Sequence, residues 1–237
     1  MSLKTIRLLK RLREYPTFSL ATVASFIDKG TAYAKVYLSR LRRQGLVHRL
    51  QRDVYTVHRD PFLVASRIIW PSYISLWAAI RYHNLTEQLP NVISVLTTAR
   101  KGLRAISMGN TSIVFERISP AYFFGFSKVL HEGLEVFVAE PEKALIDAVL
   151  LKRISVSEIY SILRERLKYL SVERLSEYIL RTRNRALAKR FGWMLESMGC
   201  DVEDLRRVIY RTTIPLDYAG PLSGRKDRGW GVIVNLG

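Results

Sequence analysis

The chain has 237 residues, 38 Lys or Arg against 21 Asp or Glu, a net charge of +17 and one cysteine. That length allows one large or two ordinary domains with a real buried core, and the charge argues for a polyanionic partner while saying nothing about fold. A single cysteine excludes an internal disulfide, and the longest uncharged apolar stretch, Ile68 to Ile80, has 13 residues against the roughly 20 that cross a bilayer. The start MSLKTIRLLKRL has no apolar signal core, so a cytoplasmic location and no membrane partner are expected.

In chain order, Ser2 to Tyr15 reads as a first helix, with Leu3, Ile6, Leu8 or Leu9, and Leu12 at helical spacing. Ser19 is a candidate N-cap for SLATVASFID, Lys29-Gly30 supplies a turn, and Thr31 is expected to cap TAYAKVYLSRLRRQ, which stops at Gly45. LVHRL, QRD and VYTV then form a hairpin. Two short helices, a turn and a hairpin in that order predict a winged helix-turn-helix, a module that lays a basic helix in the major groove of DNA.

At about 100° per residue, Ala34, Leu38 and Leu41 fall within roughly 60° of one another and face the core. The opposite face carries Ala32, Lys35, Val36, Ser39, Arg40 and Arg43, with Thr31 and Tyr33 near the helix start and Arg49 and Arg52 on the wing. With Ser19, these hydroxyl, aromatic and basic residues are the candidate DNA contacts. Residues 1–60 hold 13 Lys or Arg against 4 Asp or Glu, so charge is densest where the module lies.

Asp60-Pro61 marks the expected boundary between a DNA-binding domain, 1–60, and a second domain, 61–237. There, SYISLWAAIRYHN reads as an apolar helix capped by Ser72; NVISVLTTA, TSIVFERI, AYFFGF and LEVFVA read as strands. Glu140-Pro141 opens the helix EPEKALIDAVLLKR, three helical patterns follow over 155–169, 172–182 and 184–198, and a Pro/Gly-rich loop leads to a last strand, VIVNL. Trp70, Tyr73, Trp77 and Trp193 are expected in the core. The fold class expected is α+β, a winged helix followed by a mixed α/β domain with a helical C-terminal half.

No catalytic constellation survives the spacing tests, so no enzyme, cofactor or metal is expected. His48, His58, His83 and His131 include no pair at i, i+3 or i+4, and one cysteine cannot complete a structural zinc site. GFSKV, from Gly125, lacks the second glycine of a nucleophile elbow, and GPLSGRK, from Gly220, has neither the spacing nor the ending of a P-loop. Glu140, Glu142, Lys143 and Asp147 suit the first turns of a helix, with Lys143 and Asp147 placed to pair four residues apart. Glu with Lys also suits a metal-dependent nuclease, which keeps a DNA-targeted enzyme as the alternative. Arg181, Arg183, Arg185, Lys189 and Arg190 form a candidate second phosphate-contacting patch.

PSYISLWAAIRYHNLTEQLPNVISVLTT, VFVAEPEKALIDAVLLK, IPLD and RGWGVIVN together resemble the AbiEi family of antitoxin-type transcriptional regulators, and the resemblance covers nearly the whole chain. It implies an N-terminal winged helix, a C-terminal α/β domain, and repression of a toxin-antitoxin operon through an inverted-repeat operator; a homodimer or a cooperative pair on the DNA is expected. It also implies a functionally linked nucleotidyltransferase-like toxin, AbiEii. A module that binds such a toxin directly is a further alternative.

Overall fold

Ser19 starts the second helix as its sequence suggests: its side chain accepts from the Thr22 N–H while the Thr22 hydroxyl oxygen accepts from the Ser19 N–H. In the computed structural model, which describes residues 2–100 and 104–236, this is one of three N-terminal helices. They are α1 (Leu3–Leu12), α2 (Leu20–Ile27) and α3 (Thr31–Arg43). Asp28, left-handed at φ 51°, ends α2. The cap of α3 differs from expectation. Gly30 holds that position with no side-chain bond, and Thr31 is the first helical residue. Gly45 terminates α3 at φ 67°, a value that favours glycine. In α1 the inward residues are Thr5, Leu8 and Leu12, whereas Leu3 and Ile6, expected on the apolar stripe, are exposed.

Strands β1 (His48–Gln51) and β2 (Val54–Thr56) form an antiparallel hairpin. Phe18 bridges to it by two 2.9 Å backbone hydrogen bonds with Tyr55. Leu8, Leu12, Phe18, Val23, Ala34, Leu38, Leu41 and Val47 make the core of this part, including the three residues that angular spacing placed inward.

Rather than closing near residue 60, the first of two compact units runs through 1–74, 91–118 and 127–138. After α4 (Pro61–Ile68), capped by a 2.8 Å bond from the Phe62 N–H to Asp60, it holds a mixed sheet. Its six strands are β3 (Ser72–Ser75), β4 (Val92–Thr97), β5 (Ala105–Met108), β6 (Thr111–Arg117), β7 (Phe126–His131) and β8 (Leu134–Ala139), in the order β5-β6-β4-β3-β8-β7. β4 runs parallel to β6, β3 parallel to β8, and β5 antiparallel to β6.

Two expectations fail here. SYIS is strand β3 and not the start of a helix, and Ser72 caps nothing; its hydroxyl donates to the Ser66 and Ile69 carbonyls. All four residues of β3 are buried. A central strand covered on both faces shows no alternation, so its sequence cannot be told from a buried helix by period alone. AYFFGF likewise forms a 3₁₀ turn over Pro120–Tyr122, and the strand begins only at Phe126.

The second unit, 75–90, 119–126 and 139–237, is mainly helical. It holds α5 (Leu76–Tyr82), α6 (Pro141–Leu150), α7 (Val156–Arg166), α8 (Val172–Thr182), α9 (Arg185–Glu196) and α10 (Glu203–Arg207). The expected loop near the C-terminus contributes β9 (Ile214–Pro215) and β10 (Arg225–Asp227), which flank β11 (Val232–Val234). Asp217 accepts from the Ser157 N–H at 2.9 Å in the first turn of α7, and its own N–H is bound by Asn235 at 2.8 Å. The separated segments IPLD and VIVN are thereby joined. Trp230 is buried and lies against Gly192, where a Cβ would come within 2.1 Å of its ring. Trp70, by contrast, is 60 % exposed, so it does not belong to the core as expected.

His83 sets an acid limit on this unit. Its Nε2–H donates to the Ala139 carbonyl at 2.7 Å, and burial pushes its pKa below the ordinary imidazole value. The folded state therefore prefers the neutral ring. That preference contributes fully above the unfolded pKa of about 6.5 and is lost as pH falls below it toward the folded value. Urea midpoints of the wild type should fall through this window more steeply than those of His83→Gln; parallel curves would remove His83 as the cause.

Candidate nucleic-acid interface

Helix α3 buries Ala34, Leu38 and Leu41 and exposes Thr31, Ala32, Tyr33, Lys35, Val36, Arg40, Arg42 and Arg43, while Ser39 is half-buried. The division follows from 3.6-residue periodicity, and it leaves one side of the helix apolar and small, the other cationic. Tyr33, 56 % exposed, stacks on Tyr37 with centroids 6.3 Å apart and an interplanar angle of 15°. The Tyr37 hydroxyl in turn meets Thr5 Oγ1 at 2.8 Å, which ties the start of α3 to α1.

The hairpin is fixed to the helices by its own turn. Asp53, left-handed at φ 58°, accepts from the Leu20 N–H at 2.8 Å, a charge-assisted bond to an otherwise unpaired donor in the first turn of α2. Gln51 Nε2 donates to the Ile68 carbonyl at 2.8 Å, anchoring the opposite side of the turn. Arg52 is held outward between these two anchors, and Arg49, also exposed, donates from Nε to the Gln51 carbonyl at 3.1 Å.

Of the sequence candidates, Thr31, Tyr33, Lys35, Arg40, Arg43, Arg49 and Arg52 are thus exposed on α3 and the hairpin of one unit. Ser19 differs: it is half-buried and its hydroxyl is engaged by Thr22. Arg42 and Arg59 were missed. Arg42 lies beside the apolar stripe by angle, but its long side chain carries the charge out to solvent. Arg59 follows the hairpin in a segment with no periodicity to read.

The second basic run divides. Arg181, Arg183 and Arg185 are exposed, and Arg181 and Arg185 lie over the Phe124 and Tyr210 rings at 4.1 and 5.0 Å. Lys189 and Arg190 are buried and donate to backbone carbonyls: Lys189 to Thr212, Arg190 to Leu216 at 2.9 Å and Pro215 at 3.2 Å. They hold strand β9 and are not available to a phosphate, because their position one turn inside α9 points them inward.

Glu142, Lys143 and Asp147 are buried rather than on a solvated first turn. Lys143 pairs with Asp147 as their spacing predicts, and Ser75 donates to the same carboxylate at 2.8 Å. Burial pulls the Lys143 pKa down, opposed by Asp147. Glu142 accepts from the Ser171 N–H at 2.8 Å and lies 3.6 Å from Arg174. Nearby, burial and the Glu140 carboxylate push the Tyr178 hydroxyl up to about 12.

Across the fold Asp60, His131 and Glu132 bring ligand atoms within 4.8 Å of one another, with Glu132 exposed and Asp60 already capping α4. Among the described residues no helix is long and apolar enough to cross a membrane. Compared with known proteins, the chain matches no family model and no curated protein.

Proposed function

We propose that this protein is a sequence-specific double-stranded DNA-binding transcriptional regulator, with α3 as the major-groove reader and the hairpin as a wing on the adjacent backbone. The observation that carries the reading is the outward face of α3: Lys35, Arg40 and Arg43 exposed on a helix whose other side is buried, beside a hairpin turn pinned by Asp53. Guanidinium groups donate in pairs to guanine edges and singly to phosphates, so one helix can both read and hold. The finer reading, an antitoxin-type repressor of its own operon acting on an inverted repeat, rests on the AbiEi resemblance; a cytoplasmic location rests on the single cysteine, and binding as a homodimer or cooperative pair is part of the same proposal. The linked nucleotidyltransferase-like toxin rests on the resemblance too.

No catalytic step belongs to this reading. Glu142 and Asp147, the carboxylates that suited a nuclease, are buried and already bound to Ser171, Lys143 and Ser75.

Gel-shift titration on the DNA immediately upstream of the coding sequence, against a scrambled duplex, tests the reading. Arg40→Ala should cost about 1 to 3 kcal/mol on the upstream fragment and narrow the preference for it, whereas Arg52→Ala should weaken both duplexes alike. Unchanged binding by Arg40→Ala and Arg43→Ala would remove α3 as the reader.

A further inference from the structure

We infer that a cleft at the C-terminal end of α3, which adjoins the proposed base-reading face and shares Arg43 with it, is a seat for phosphate groups. It has a volume of about 700 Å³ and lies between the end of α3, strand β1 and the β5–β6 turn, all in one unit. Arg42 and Arg43 enter it from the helix, His48 and Arg49 from the strand, Arg59 from beyond the hairpin and Ser107 from β5. Among the described residues no carboxylate lines it, and none of the four arginines is in an ion pair.

The acids closest in sequence are committed elsewhere. Asp53 accepts from Leu20 at the start of α2, and Asp60 caps α4 and lies 3.5 Å from His131. Four guanidinium groups around one concavity repel each other, and a concave wall focuses their field and concentrates anions there. The planar fork of arginine matches phosphate oxygens in pairs, and Ser107 adds a hydroxyl donor. The ligand chemistry is therefore a phosphate group, supplied either by the backbone of the bound duplex or by a free polyphosphate. The first source rests on the proposed duplex-binding reading; the second does not.

The full-length protein is compared with Arg59→Ala, with Ser107→Asp, which sets a carboxylate in the cleft at an exposed hairpin position, and with Arg228→Ala, an exposed arginine outside it. The probes are a scrambled duplex and inorganic tripolyphosphate. With a backbone phosphate in the seat, Arg59→Ala and Ser107→Asp should each weaken duplex binding about tenfold at moderate salt and flatten the slope of log K against log salt by about 0.9, while Arg228→Ala changes neither. A free polyphosphate is the source if duplex binding is unaltered but tripolyphosphate raises the melting temperature of the wild type and not of the two cleft variants. Equal losses in Arg228→Ala, or duplex and tripolyphosphate responses that all four proteins share, would overturn the inference and leave the α3 reading standing. Failure of the wild type to bind any duplex would instead defeat that reading, and the tripolyphosphate arm alone would then decide the cleft.

Discussion

Replacing Asp147 by alanine should destabilise the chain by about 3 to 5 kcal/mol, a large part of the 5 to 15 kcal/mol that holds a typical domain folded. The residue is fully buried, its two oxygens accept from Lys143 and from Ser75, and its removal takes from the buried Lys143 ammonium the carboxylate it pairs with. Part of that cost is avoided if Lys143 gives up its proton, which burial already favours. The loss should therefore shrink as pH rises, since the proton leaves more easily. Substituting both partners at once, Lys143→Met with Asp147→Leu, should recover most of the stability, because burying neither charge costs less than burying one. Urea denaturation followed by circular dichroism reads all three proteins. A single variant with the wild-type midpoint would show that the pair contributes nothing, and DNA affinity measured below the transition should be unchanged.

Duplex binding by the wild type should be steeply salt-dependent. With on the order of six phosphates neutralised, affinity should fall roughly a thousandfold between 50 and 200 mM salt, as each neutralised phosphate releases counterions with a slope of about −0.9. The +17 net charge and the exposed arginines on α3 and the hairpin suit contacts of that kind. Removing residues 61–237 should not give a fair test of the N-terminal part alone, because the first compact unit includes the sheet strands up to residue 138. Fluorescence anisotropy on one duplex over a salt series measures the slope. A flat response would count against phosphate contacts and favour a protein partner for the basic face.

The three N-terminal helices and the hairpin were legible because their information is local. Ser19 with Thr22, the turn ending in Gly30, and Gly45 after α3 each act within a few residues, and the Ala34, Leu38, Leu41 stripe needs only helical periodicity. The pairing of Lys143 with Asp147 is local in the same sense. Strand β3 was not legible, since SYIS is buried on both faces and only its pairing with β8, more than sixty residues away, makes it a strand. Nor could the basic run announce which members turn inward: Arg181, Arg183 and Arg185 reach solvent, while Lys189 and Arg190 find carbonyls in and beside strand β9, about twenty-five residues later. The cleft at the end of α3 depends on distant contributions too, from a helix, a hairpin and the β5–β6 turn. The sequence by itself determined the caps, turns and faces of single helices, which depend on neighbours along the chain. Only the tertiary structure decided which charges are exposed and which meet, because burial and pairing depend on partners that folding alone brings close.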